Sequence, residues 1–352
     1  MNGQHTGHLR GRGADAILWP VQVSRPNEPA YAGAAATFCK VPLVLDPGGL
    51  DGADVAVVGA PVDETTSYRP GARFGPRAIR LADVSGAPSG RPHLDLGVDP
   101  FEALKVVDYG DAEVVPADAA RSHQAIRRAV GEIVAAGAVP VVLGGDHSIA
   151  HPTVSALAEH VRPAAVGIVH FDAHADDAED IYGVRRSHGT PLRLLVEEGA
   201  VRGEHIIQVG LRGYWPGPEE FAWAREQGFA WFTMGEIQDR GFDAVLDDVV
   251  GRAGAFEHVW LSLDIDVVDP GHAPGTGTPE PGGLTQREML WAVRRLSREV
   301  GFAGMEVVEV SPPYDHADVT ALLAHRIILE ALSGLALRRL GREPAPERPA
   351  IP

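Results

Sequence analysis

The sequence contains a single cysteine, Cys39, so it can form neither an intrachain disulfide nor a thiolate-based metal cluster. It also lacks a long basic run, because 31 lysines and arginines stand against 48 aspartates and glutamates, giving a formal net charge of −17. This balance argues against nucleic acid and anionic membranes as partners and weakly favours a cationic substrate. No apolar run reaches the roughly 18 residues of a membrane span, and residues 1–15 have no apolar signal core. We therefore expect a cytoplasmic protein.

Short Val, Ile and Leu runs alternate with amphipathic segments from Asp54 onward, which is typical of repeated βα units around a parallel sheet. This pattern predicts an α/β fold of three layers, α/β/α, with a mainly parallel sheet of about eight strands. Helices are clearest at Asp118–Ala136 and Thr285–Glu299, and Thr320–Leu340 closes the fold. The predicted strands are Val55–Gly59, Lys105–Tyr109, Val139–Leu143, Val166–Phe171, Ile206–Val209, Ala230–Thr233, Val259–Leu263 and Met305–Val310.

The chain shows no internal repeat and no linker of the kind that separates domains. Residues 1–35 mix Gly, Pro and Asn without periodicity, and we interpret them as an extended arm with a candidate role between subunits. Residues 36–340 are predicted to form one domain. Residues 341–352 are rich in proline and charge, which predicts a loose tail.

Three apolar runs end in side chains that commonly bind metals. Val166–Phe171 is followed by Asp172, His174 and Asp176, and alternate residues of an extended chain point to one side. The segments Gly144–Ser148 and Ser262–Asp266 follow two further runs and add one histidine and two aspartates, namely His147, Asp264 and Asp266. Any one of these clusters alone could be a loop or a helix cap. Three such clusters at strand ends favour a metal site.

Six ligands are too many for one tetrahedral zinc ion but suit two harder divalent ions such as manganese, with some carboxylates bridging. Two adjacent ions can hold a water molecule and lower its pKa towards neutrality, which makes hydroxide available. The ligand set therefore indicates metal-assisted hydrolysis.

The same three segments resemble the ureohydrolases, the family of arginases, agmatinases and related guanidino-acid amidinohydrolases. The resemblance covers most of the chain from about residue 54 to residue 335 and implies an arginase-like fold. Its agmatinase branch is favoured by Thr66–Pro76, Ala273–Pro279 and Glu309–Asp315. The family also implies hydrolysis of a small cationic guanidino compound to urea and an amine, and a homo-oligomer built as a trimer or hexamer.

The resemblance also implies roles for individual residues. Two Mn²⁺ ions per chain would be bound, one by His147, Asp172, Asp176 and Asp264, the other by Asp172, His174, Asp264 and Asp266. Glu309 would bind the guanidinium group, as a carboxylate can, and His188 would shuttle a proton near neutral pH. Thr278 would hydrogen-bond Glu309 or the reaction intermediate.

The identity of the substrate stays open at this point. Agmatine, which would yield putrescine, is our first hypothesis. A guanidino acid such as 4-guanidinobutanoate is the alternative, because Arg185 and Arg186 could pair with its carboxylate. A catalytically silent metal-binding scaffold and a single-zinc deacylase are two further readings, and the number of bound ions would distinguish the deacylase from a binuclear enzyme.

Overall fold

The structure is a computed structural model that describes residues 36–84, 90, 92–215 and 217–342. The predicted arm at 1–35 lies outside the described residues, as does the predicted tail beyond residue 342. Within the described residues, eight parallel strands form one sheet in the order β2-β1-β3-β8-β7-β4-β5-β6. Their bounds are β1 Val55–Ala60, β2 Val106–Asp111, β3 Val139–Gly144, β4 Val166–Phe171, β5 Ile206–Leu211, β6 Ala230–Thr233, β7 His258–Asp264 and β8 Gly304–Val308.

Helices cover both faces of this sheet, and the predicted three-layer fold is confirmed. The helices are α1 Gly75–Leu81, α2 Pro100–Ala103, α3 Ala119–Ala135, α4 Ala150–Val161, α5 Pro191–Glu197, α6 Pro218–Gln227, α7 Met234–Arg240, α8 Phe242–Ala253, α9 Gln286–Arg295 and α10 Val319–Leu340. One buried cluster packs under α3 to α6, and the other packs under α1 and α7 to α10. Alternate strand residues serve opposite faces: Val57 belongs to the second cluster and Val58 to the first.

Local sequence signals account for where the main helices begin. The Asp118 side chain accepts a hydrogen bond from the Arg121 N–H and caps α3. Thr285 and Glu288 form a reciprocal capping box at the start of α9. These two caps lie at or beside the predicted starts, which explains why both helices could be placed from the sequence.

Helix α10 has the length and apolarity of a membrane span, with a mean hydropathy of 1.5 over its most apolar window. However, 72% of that window is buried inside the fold, where α10 packs against α9 and α1. Burial in the core explains its composition.

The strand order brings distant parts of the chain together. The four central strands are β3, β8, β7 and β4, and these are the strands that end beside His147, Glu309, Asp264 and Asp172. Because all strands are parallel, their carboxyl ends meet at one edge of the sheet, which is where open α/β sheets bind ligands. The fold therefore places the predicted ligands at one location.

Candidate metal centre and adjoining cavity

The six predicted ligands come together at the carboxyl edge of the sheet. His147 Nδ1 lies 3.0 Å from an oxygen of Asp172, 3.0 Å from one of Asp176 and 3.3 Å from one of Asp264. His174 Nδ1 lies 3.4 Å from the other Asp172 oxygen and 3.2 Å from Asp266 Oδ2. Asp172 thus contacts both imidazoles, which is the position that a bridging ligand needs.

Glycines and caps shape the loop that carries His147. A side chain at Gly145 would collide with the carbonyl oxygen of Val62, so only glycine lets the chain pass there. Asp146 then accepts hydrogen bonds from the Ser148 N–H at 3.2 Å and from the Thr65 N–H at 3.0 Å. Asp146 therefore holds the loop and stays outside the ligand cluster.

The electrostatics of the cluster favour the binding of cations. Asp172, Asp176, Asp264 and Asp266 are all buried, so four carboxylates face two imidazoles in a region that water barely reaches. Burial, together with the charges of Asp266 and Asp172, raises the pKa of Asp264 well above its usual value. Burial opposes ionisation of Asp172 as well, but hydrogen bonds from His147 and His170 hold its pKa well below normal.

The neighbouring carboxylates raise the pKa values of both histidines, His147 and His174. Burial opposes protonation of His147, but its hydrogen bonds to Asp172, Asp176 and Asp264 raise its pKa well above the usual value. In the same way the charge of Asp266 and the hydrogen bond to Asp172 outweigh burial and raise the pKa of His174. Such a concentration of buried oxygen and nitrogen ligands fits divalent ions, whose charge would balance the carboxylates.

His170 also belongs to this region, although the sequence reasoning did not select it. Its Nε2 lies 3.2 Å from Asp172 Oδ2, and its ring stacks on that of His147 with the centroids 4.9 Å apart. The sequence could have indicated His170, because it precedes Asp172 by two residues and must point to the same side of β4.

Glu309 follows β8 directly and adopts a left-handed backbone conformation with φ of 61°. The predicted strand Met305–Val310 was two residues too long at this end, because β8 stops at Val308 and this turn redirects the chain. Glu309 Oε1 accepts from the His147 N–H at 2.8 Å and lies 3.2 Å from His188 Nδ1. Its Oε2 is buried and has no hydrogen-bond partner in the described part of the chain. A strained residue with an unpaired buried oxygen is typical of a ligand-binding position.

A cavity of about 420 Å³ opens beside the ligand cluster. Its walls include three of the predicted ligands, His174, Asp176 and Asp264, and two predicted catalytic residues, His188 and Thr278. The apolar and acidic side of the cavity is completed by Asp180, Ile181, Tyr182 and Trp215. The loops after β1, β4, β5 and β7 therefore build the cavity.

His188 links the cavity to Glu309. Burial opposes its protonation, but the hydrogen bond and charge of Glu309 raise the pKa of His188 to about 9. The N–H of Ser67 donates to Nε2 at 3.1 Å, which opposes a proton on that nitrogen. Competing contacts of this kind leave the imidazole able to gain or lose a proton, as a proton shuttle must.

Two expectations about neighbouring residues are not met. Thr278 donates to Asp266 Oδ2 at 3.4 Å and not to Glu309 in the described structure, whereas the alternative, a hydrogen bond to the reaction intermediate, stays a prediction. Arg185 pairs with Glu197, and Arg186 donates to Glu198 at 2.9 Å, and neither side chain lines the cavity. The argument that these arginines would bind a substrate carboxylate therefore fails.

Arg212 is a structural support that the sequence reasoning missed. Its guanidinium donates to the carbonyl oxygens of Asp266 at 2.6 Å and Val267 at 3.2 Å. It also reaches the carbonyl of Glu280 at 2.6 Å. Arg212 thereby fixes the loop that carries Asp266 and Thr278.

Known proteins resemble this chain over most of its length. The family model described as the arginase family matches residues 53–334. The guanidinobutyrase of Pseudomonas aeruginosa is 38% identical over 306 residues, which cover 87% of this chain and 94% of that protein. The mitochondrial agmatinase of Gallus gallus is 40% identical over 284 residues, covering 80% and 81%. The solved structure of proclavaminate amidino hydrolase from Streptomyces clavuligerus has a TM-score of 0.80 at 38% identity, covering 88% of this chain and 99% of that one.

Proposed function

Because the chain belongs to the arginase family, we propose that it hydrolyses the guanidino group of a small cationic compound to urea and an amine. Arginase-family relatives are hydrolases of guanidino or amidino groups, and this chain is an enzyme of that agmatinase-like kind. The observation that carries the proposal is a single cavity lined both by metal-type ligands, His174, Asp176 and Asp264, and by His188.

The buried cluster fits two divalent ions. His147, Asp172, Asp176 and Asp264 would hold one, and Asp172, His174, Asp264 and Asp266 the other. We propose manganese, because a set of four carboxylates and two imidazoles suits a borderline-hard ion better than a thiolate-seeking one. When bound, two such ions supply hydroxide at neutral pH and polarise the group that it attacks.

The protein side chains then position the substrate and move a proton. Glu309 has a buried carboxylate oxygen without a partner, and a planar guanidinium can donate to it in a charge-assisted hydrogen bond. Breaking the carbon–nitrogen bond leaves an amine that must take up a proton. His188 lines the cavity and contacts Glu309, so it is placed to deliver that proton. Thr278, on the cavity wall, donates to Asp266 and helps to hold that carboxylate in place.

Agmatine is our first choice of substrate. Asp180 lines the cavity, and no lysine or arginine does so among the described residues, which favours a cationic tail over a carboxylate. A guanidino acid is the second candidate, because the guanidinobutyrase relative matches this chain over a larger share of its length than the agmatinase relative does.

A urea-release assay on purified protein tests the proposal. Agmatine, arginine, 4-guanidinobutanoate, 3-guanidinopropionate and free guanidine would be compared at equal concentration, with metal content measured on the same sample. We expect about two ions per chain and the highest kcat/KM for agmatine. Turnover of the acid alone would overturn the choice of agmatine, and two ions without any urea release would favour the silent scaffold. One ion per chain would favour the single-zinc deacylase.

Two properties accompany this proposal. We infer a homo-oligomer of three or six chains from the family resemblance, and light scattering of the purified protein tests it. A cytoplasmic location also stays a prediction, which fractionation of the source cells would check.

A further inference from the structure

We propose that Ser262 and Glu306 are positioning residues that hold the imidazole of His147 in the tautomer that binds a metal ion. This inference deepens the proposed function, because it rests on His147 being a ligand of the metal centre. It adds two residues to the site, neither of which contacts the cavity.

A row of polar side chains crosses the middle of the sheet at a single level. Ser262 on β7 is paired in register with His170 on β4 and with Glu306 on β8. All three side chains are fully buried, with 0% exposure. Burying polar groups between central strands costs free energy unless they are hydrogen-bonded. Placement of this row, next to the strand ends that carry Asp172 and Asp264, indicates a function other than stability.

The hydrogen bonds along this row have a definite direction. His147 Nε2 lies 2.8 Å from Ser262 Oγ, and Ser262 Oγ lies 2.8 Å from Glu306 Oε1. The Ser262 hydroxyl has one proton, which it donates to the carboxylate of Glu306, so its oxygen is free to accept from His147. His147 therefore carries its proton on Nε2.

The opposite nitrogen, Nδ1, faces the carboxylate cluster and would offer its lone pair to an ion bound there, since the proton that remains on the ring is the one on Nε2. His147 Nδ1 is the atom that lies 3.0 Å from Asp172 and 3.0 Å from Asp176. A neutral imidazole can bind a metal ion only through its unprotonated nitrogen. Fixing the proton on Nε2 thus prepares Nδ1 as a ligand, and the stacked ring of His170 restricts rotation of the imidazole.

Glu306 is itself held from a second side. Thr153 on α4 donates to Glu306 Oε2 at 2.7 Å, so each carboxylate oxygen accepts one hydroxyl. A chain of hydrogen bonds therefore links Thr153 on α4, Glu306 on β8 and Ser262 on β7 to His147. It is complete in the described structure and uses no group from the cavity.

The test compares three purified variants with the wild type: Ser262→Ala, Glu306→Gln and the control Ser297→Ala. Ser297 is also fully buried, and its hydroxyl donates to the Val293 carbonyl within a helix, far from the ligands in the sequence. Affinity for Mn²⁺ would be measured by competition with a chelator. We expect Ser262→Ala to weaken binding of one ion by about 10–100-fold. Glu306→Gln, which retains an acceptor oxygen, should weaken it less, and Ser297→Ala should leave it unchanged.

A spectroscopic readout separates positioning from general loss of structure. In protein labelled with ¹⁵N-histidine and loaded with diamagnetic Zn²⁺, the His147 signals can be assigned by their absence in His147→Asn. We expect a proton on Nε2 in the wild type and in Glu306→Gln. A proton on Nδ1, or wild-type ion affinity in Ser262→Ala, would overturn the inference. Wild-type protein that binds two ions but releases no urea would contradict the proposed function alone.

Discussion

Asp172 occupies the centre of the proposed metal site, because each of its carboxylate oxygens faces a different histidine. We expect Asp172→Asn to bind fewer than two ions per chain and to release urea at less than about one-hundredth of the wild-type rate, since a neutral amide cannot replace a bridging carboxylate. Elemental analysis and the urea assay measure the two effects. Asp180→Asn is the matched control, because Asp180 lines the same cavity outside the ligand cluster, and it should retain both ions. A fully active Asp172→Asn enzyme would exclude Asp172 as a bridge.

We expect His188 to deliver a proton to the leaving amine and not to bind the metal ions. Its contacts are with Glu309 and Ser67, and within the described residues it forms no hydrogen bond or ion pair with a proposed ligand side chain. His188→Asn should lower kcat by about 10²–10⁴-fold while the ion content remains that of the wild type. The same preparation would be assayed for urea release and for manganese. Loss of the metal in this variant would show that its role was assigned wrongly.

Single residues were predictable from the sequence where spacing alone carries the information. Asp172, His174 and Asp176 alternate after an apolar run, so their convergence follows from strand geometry. Ser262 and Glu306 could not be selected in this way. A serine or a glutamate inside an apolar strand can be recognised as a hydrogen-bond partner of His147 only when the register between the strands is known. The direction of Arg185 was unpredictable for a similar reason, since its partner Glu197 lies on a helix whose orientation the sequence does not specify.

At the scale of helices and strands, apolar runs located every strand of the sheet to within two residues, and β8 is the exception in that its predicted carboxyl end lies beyond the observed one. The exception is instructive, because Val308, Glu309 and Val310 continue the apolar pattern while the backbone turns at Glu309. Burial of Val310 on the far side of that turn produces the same periodicity as a longer strand. Hydrophobic pattern therefore cannot reveal a strained residue that ends a strand for functional reasons.

Helix α10 is tied to α9 through Glu330, a fully buried carboxylate. Arg294 on α9 and Arg326 on α10 each donate to it at 2.8 Å, and His93 Nε2 lies 3.0 Å away. Burial opposes its ionisation, but the hydrogen bonds from His93 and Arg294 outweigh burial and lower the pKa of Glu330 to about 2. Glu330 is therefore ionised in the folded state at every pH where the protein is normally handled.

Glu330 should make stability depend on pH in the acid range. A depressed pKa contributes stability that is complete above the unfolded value of 4.5 and is lost as the pH falls from there towards 2. Glu330→Gln should lower the free energy of unfolding by about 3 kcal/mol at pH 7, and its difference from wild type should shrink below about pH 4.5. Urea denaturation followed by circular dichroism measures this difference. Glu299→Gln, which removes a surface carboxylate paired with Arg295, should change stability by less than about 1 kcal/mol. A difference independent of pH would contradict the assignment.

For the whole molecule, the sequence indicated the fold class but not the order of the strands. The last two strands of the chain, β7 and β8, lie in the middle of the sheet, between β3 and β4, although β3 and β4 follow each other in the sequence. Contacts between residues far apart in the chain decide this order, and no local pattern encodes them. That insertion is what brings Asp264 and Glu309 to His147 and Asp172. The position of the ligand clusters at strand ends predicted one shared site, but it did not predict which strands are neighbours.

The charge of the whole chain should favour a dication over a zwitterion. A formal charge of −17, together with Asp180 on the cavity wall, attracts agmatine, whereas 4-guanidinobutanoate carries no net charge. Salt screens this attraction over a Debye length that shortens from about 30 Å at 0.01 M to about 3 Å at 1 M. We therefore expect kcat/KM for agmatine to fall several-fold, as an order of magnitude estimate, between low and high NaCl, with little change for the acid. Manganese would be kept in excess and ion content verified at both salt concentrations. An equal fall for both substrates would mean that salt acts on the protein or its metal centre, and would exclude electrostatic attraction as the basis of substrate preference.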